Sequence, residues 1–124
     1  MGADFLAFDL GAESGRAMLG KLRSGVLDLT EIHRFPNRHV QSNGSQHWDV
    51  RGLWSQMRHS LELLPATPLS SIGVATWGVA YALLDERGHL VEDPYHYLDL
   101  HPIGGGGKAF DRVPAALVFP TIRH

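Results

Sequence analysis

The sequence contains no cysteine, so neither a disulfide framework nor a thiolate metal site can be built from it, and a reducing compartment suits it. It also lacks a basic excess: eleven Lys and Arg stand against thirteen Asp and Glu, for a formal net charge of -2. Nucleic acid binding needs clustered cations to neutralise phosphates, so nucleic acid is not an expected partner. No apolar run is long enough to span a bilayer. The opening Met1-Gly2-Ala3-Asp4-Phe5-Leu6 has no basic stretch leading into an apolar core, and no Ser or Thr at position 6 for myristoylation. These absences set the expectation of a cytoplasmic chain with no membrane partner.

What is present is an ordinary globular composition: 124 residues, 44% hydrophobic and 19% charged, enough for one modest core. Residues 5–10 form a short apolar run closed by Asp9 and Gly11, predicting a central strand buried on both faces. Residues 16–21 and 26–34 predict two further strands across the turn Leu22-Arg23-Ser24-Gly25. Residues 36–46, rich in Asn, Ser and Gly without a period, read as a loop with a mobile tip. A helix is predicted from Asp49, a good N-cap, with Val50, Leu53, Trp54, Met57, Leu61 and Leu64 on one face and Pro65 and Pro68 as stops. Residues 71–76 and 79–84 read as strands, the second turning at Asp85-Glu86-Arg87-Gly88 into residues 89–91. This order implies an α/β mixed sheet with a flanking helix.

The residues that carry chemistry are Asp9-Leu10-Gly11-Ala12-Glu13-Ser14-Gly15-Arg16, a strand end running through a tight turn into the next strand. Phosphate oxygens need convergent N–H donors, and a turn with two glycines can aim amides inward while letting a ligand approach. Ser14 adds a hydroxyl, Arg16 a positive charge, and Asp9 a carboxylate placed to hold Mg2+ through water. An ordinary hairpin turn would use the same residue types, so the pattern alone leaves both readings open. Gly104-Gly105-Gly106-Gly107-Lys108-Ala109 fails as a P-loop, because Pro102 and Ala109 stand where Gly and Ser or Thr are required. The eight histidines form no metal-ligand spacing and read as solvated or singly hydrogen-bonded. Among the tryptophans, Trp54 reads as core and Trp77 as the one with a functional case.

Along roughly the first hundred residues the sequence resembles the rhamnulokinase branch of the FGGY carbohydrate kinases. The matching blocks are Phe8-Asp9-Leu10-Gly11-Ala12-Glu13-Ser14-Gly15-Arg16, Glu31-Ile32-His33-Arg34-Phe35-Pro36-Asn37, His47-Trp48-Asp49-Val50, and Thr76-Trp77-Gly78-Val79 leading to Tyr81-Ala82-Leu83-Leu84-Asp85. The resemblance implies a ribonuclease H-like fold of the actin/hexokinase type, with residues 1–100 the opening part of an incomplete first domain and 101–124 a Gly-rich linker and divergent tail. It implies ATP and Mg2+ as cofactors and a ketose sugar and a nucleotide as small-molecule partners. Ala12, Glu13, Ser14, Gly15 and Arg16 would contact the ATP phosphates, and Gly78, beside Trp77, would approach the sugar. The implied reaction moves the γ-phosphoryl group of ATP to the 1-hydroxyl of L-rhamnulose.

Two departures bear on this. Ala80 stands where the family has an aspartate, and Tyr97-Leu98-Asp99-Leu100-His101-Pro102 replaces a stretch with two arginines and a threonine. No residue matches the family's catalytic aspartate or its second domain, so a kinase part inactive alone, in need of the missing half or prone to self-association, is the expectation. The alternatives are a non-catalytic remnant that binds nucleotide or sugar weakly, or a kinase of another sugar specificity.

Overall fold

In the computed structural model, which describes residues 2–66 and 68–99, the opening strand is longer than its apolar run. β1 (Gly2–Leu10) turns Leu6, Phe8 and Leu10 into the core and leaves Ala7 exposed. The expected burial on both faces is therefore corrected. Among the described residues the single helix lies on the Leu6, Phe8 and Leu10 side, and nothing covers the other.

β2 (Ser14–Arg23) runs antiparallel to β1, and β3 (Val26–Pro36) antiparallel to β2. β6 (Ser71–Ala75) lies parallel to β1 on its other side, giving a mixed sheet in the order β3-β2-β1-β6 with β1 internal, as the sequence predicts. The β2–β3 hairpin closes on Ser24 and Gly25, both with positive φ (50° and 80°), the geometry of a two-residue turn whose twist matches that of paired strands. Within that hairpin the pairing slips: Ala17 faces His33 while Met18 faces Glu31, so Ile32 is an extra residue in β3.

Residues 36–46 correct the expectation of a loop. They contain β4 (His39–Ser42) and the start of β5 (Ser45–Trp48), an antiparallel pair closed by Asn43 and Gly44 at φ 51° and 81°. Asn-Gly is the strongest short hairpin signal, and the flanking strands are too short to show a period.

α1 (Val50–Glu62) begins where expected, with the Asp49 carboxylate accepting the Gly52 N–H at 2.8 Å. Leu53, Met57 and Leu64 pack on Leu6, Phe8, Leu10, Ala17 and Phe35. Trp54 is 56% exposed, so its expected core position is corrected: the inward stripe passes through Leu53, Met57 and Ser60. Ser60 is tolerated there because its hydroxyl donates to the Gln56 carbonyl at 2.8 Å. Residues 79–84 form no strand; one bridge, Leu84 to Leu90, flanks the Asp85 turn, where the Asp85 carboxylate takes the N–H groups of Arg87 and His89. The tail expected as a linker over 101–124 lies outside the described residues. No described helix is long and apolar enough to cross a membrane.

Leu22, Val26, Leu27 and Leu29 stay exposed on the hairpin, as do Ile72 and Val74 on the edge strand β6. An uncovered apolar sheet surface beside an open edge favours association. The 124-residue chain is expected to self-associate with rising concentration in light scattering, and a monodisperse monomer throughout would show that this surface is benign.

Candidate functional site

The parallel register of β1 and β6, with Asp9 beside Ala75, brings the carboxyl ends of both strands to one edge of the sheet. The turn after β1 and the Trp77-Gly78 segment after β6 therefore emerge side by side. Crevices beyond the carboxyl ends of neighbouring parallel strands are where α/β sheets bind ligands.

The turn is held from within and from below. Gly11 N–H donates to the Ser14 carbonyl at 2.9 Å. Asn37, 6% exposed, donates from Nδ2 to the Gly11 carbonyl at 2.7 Å and from its backbone N–H to the Glu13 carbonyl at 2.9 Å. Gly11, Ala12 and Glu13 are exposed, and among the described residues nothing accepts a hydrogen bond from the N–H groups of Ala12 and Glu13. Asn37 is the residue that reading the turn for chemistry missed. Its side-chain partner Gly11 is 26 positions away in sequence, so no local spacing points to it.

Asp9 and Arg16 are cross-strand partners joined by Arg16 Nε and Nη2 to Asp9 Oδ2 at 2.9 and 2.8 Å. Both side chains are about half exposed, so the pair contributes only about 0–1 kcal/mol and can open for a ligand. Arg34 lies opposite Arg16 and pairs with Glu31 at 2.6 Å. The Arg34 hydrogen bond holds the Glu31 carboxyl below its usual range, and Glu31 in turn raises Arg34. Asp9 Oδ1 is left without a partner among the described residues. One open carboxylate oxygen at the end of the strand that leads into the turn suits Mg2+, which binds few carboxylates and keeps waters and phosphate oxygens. No cluster of three or more His, Cys, Asp and Glu residues able to hold a metal ion occurs among the described residues.

Gly15 is required for a reason other than ligand approach. A Cβ there would lie 2.3 Å from Cε2 of Phe35, so the glycine admits a core ring. Gly78 is exposed with open space where a Cβ would stand, and Trp77 stacks on the buried Trp48 at a centroid distance of 4.0 Å. Trp48 is also met by His96 at 4.1 Å, so the Trp77 ring rests on a fixed aromatic base. His96 accepts the Leu98 N–H at 3.2 Å, and His47 meets the Asp93 carbonyl at 2.6 Å, which agrees with singly hydrogen-bonded histidines.

No model of a protein family matches the chain. A rhamnulokinase from Bacteroides thetaiotaomicron is 39% identical over 121 residues, covering 96% of this chain and 25% of that protein. One from Klebsiella pneumoniae is 45% identical over 98 residues, covering 76% of this chain and 20% of that protein. The chain thus spans a fifth to a quarter of the length of these curated relatives. Among solved structures, xylulose kinase from Rhodospirillum rubrum superposes with a TM-score of 0.69 at 20% identity, over 92% of this chain and 25% of that one. The fold is that of the sugar kinases, the actin/hexokinase type.

Two outcomes follow from the geometry. Gly15→Ala drives a methyl group into the Phe35 ring and is expected to lower stability by about 1–3 kcal/mol in urea unfolding; an unchanged midpoint would show that the ring yields freely. Burial pushes the His96 pKa down from 6.5, helped by His39 and opposed by Asp99. The fold therefore favours neutral His96, and this stabilisation is full above 6.5 and is lost as pH falls through the lower folded value. The melting temperature should drop as pH falls from about 6.5 towards the lower folded value, and His96→Gln should flatten that drop; an identical slope in the variant would exclude His96 as its source.

Proposed function

We propose, for a chain that is rhamnulokinase-like in sequence and sugar-kinase-like in fold, that it is the phosphate-gripping part of an ATP-dependent carbohydrate kinase. The observation that carries this reading is the pair of unengaged N–H groups at Ala12 and Glu13, set at the sheet edge shared by β1 and β6. Residues 1–100 are read as the opening part of the first kinase domain and 101–124 as a linker and tail, in a cytoplasmic protein. The sugar is read as L-rhamnulose, phosphorylated at its 1-hydroxyl to give L-rhamnulose 1-phosphate and ADP.

Ala12 and Glu13 offer amide hydrogens to phosphate oxygens, and Ser14 adds its hydroxyl. Glu13 is exposed, so its carboxylate can stay in solvent while its amide serves the anion. Gly15 keeps β2 close to Phe35 and so fixes the strand into which the turn leads. Arg16 can pass from Asp9 to an incoming phosphate, which exchanges one charge-assisted contact for another. Asp9, released from that pair, would hold Mg2+ through water, and the metal would neutralise charge on the phosphates. Gly78 leaves room for a sugar beside Trp77, and the Trp48 stack keeps that wall in place. Ala80 provides no carboxylate for sugar hydroxyls.

Phosphoryl transfer also requires a base within hydrogen-bond reach of the attacking hydroxyl, and no residue of this chain is assigned that role. The 124-residue polypeptide is therefore expected to bind ATP with magnesium in calorimetry and to show no turnover with L-rhamnulose. Asp9→Asn should weaken the magnesium-dependent part of that binding by about tenfold, the worth of roughly 1.4 kcal/mol. Absence of binding in the parent chain would remove the assignment of the turn, and phosphorylation of rhamnulose by the pure polypeptide would show that it holds its own base.

A further inference from the structure

Two carbonyls of the turn converge on one residue that lies beyond it in the chain. Asn37 takes the Gly11 carbonyl with its side chain and the Glu13 carbonyl with its backbone N–H. In a trans peptide the C=O and the following N–H point in opposite directions, and no peptide bond of the described chain is cis. Each carbonyl drawn down to Asn37 therefore aims the next N–H, that of Ala12 or Ser14, away from Asn37. Asn37 is buried while Gly11, Ala12 and Glu13 are exposed, so the direction away from Asn37 is the open side of the turn.

We infer that Asn37 is the positioning residue of the phosphate turn: it touches no ligand, and by holding the Gly11 carbonyl it presents the Ala12 amide to the anion. This rests on the reading of residues 12–16 as the phosphate site. A second observation separates it from plain packing. Asn37 Oδ1 is buried without a partner among the described residues, so this side chain retains an unsatisfied acceptor while its donor is engaged. An apolar side chain of similar volume would avoid that cost and fill the same space, but it could not orient the peptide.

The backbone N–H of Asn37 survives substitution, so variants release only the Gly11 tether. Asn37→Leu and Asn37→Ala are expected to bind ATP with magnesium about tenfold more weakly, the effect of one net hydrogen bond at the site. In amide NMR of the variants, the Ala12 signal should broaden while those of α1 residues such as Leu53 stay unchanged, a pattern that loss of packing alone would not give. A folded variant with unchanged affinity and a sharp Ala12 signal overturns the inference.

Should both variants unfold, the parent chain provides the test. Titrated with ATP and magnesium, its Ala12 and Glu13 amides should shift, while the Asn37 side-chain amide protons stay slow to exchange and unshifted. Fast exchange of those protons, or a shift as large as that of Ala12, overturns the role of Asn37 alone. No response at Ala12 and Glu13 in the parent chain overturns the phosphate-site reading and this inference with it.

Discussion

The parallel pairing of β1 with β6 is the constraint from which the site follows. β6 has five residues, so laying it antiparallel to β1 would move Trp77 and Gly78 about 16 Å down the sheet, away from the turn at Gly11. In the observed register Asp9 and Ala75 are neighbours, and both connections start at one edge. α1 makes that register reachable. It carries the chain back from the β4–β5 hairpin, and its Leu53 and Met57 cover the face of β1 that Leu6 and Phe8 present.

The two faces of the sheet divide the work. The helix-covered face is close-packed and apolar beyond the buried Asp4, which pairs with Arg23, to the point that Gly15 and Ala17 are small so that Phe35 can lie across β2. The open face carries Asp9, Arg16, Glu31 and Arg34 at the end near the turn, and Leu22, Leu27 and Leu29 at the end near the Ser24 turn. Arg16 and Arg34 lie opposite each other on β2 and β3, each held by its own exposed carboxylate, Asp9 or Glu31, so either cation can exchange its partner for an incoming anion. That lability suits residues that meet a doubly charged metal and a polyanion.

Sequence reasoning read β1, the β2–β3 hairpin, the Asp49 cap and β6 because each rests on neighbours in the chain: an apolar run, a Gly-bearing turn, a capping carboxylate. It missed β4 and β5, whose four residues each are too few for a period, although Asn43-Gly44 marks their turn. It assigned Trp54 to the core because a helical stripe fixes spacing but not which flank of the stripe meets the sheet. The turn at residues 11–16 was legible from its Gly, Ser and Arg, but not its support. Asn37 and the Trp48–Trp77 stack join positions far apart in the chain, and only the folded sheet brings them together.

The extra residue in β3 has a reach larger than its size. Side chains alternate faces along a strand, so one additional residue reverses that alternation for everything beyond it. Leu27 and Leu29, before Ile32, face outward; Phe35, also an odd position but after it, faces inward and fills the space above Gly15. With the same residues paired regularly through Ile32, Arg34 would turn towards the core and Phe35 into water. The irregularity acts as a phase shifter, allowing a single uninterrupted strand to serve a greasy seam at one end and an ionic rim at the other.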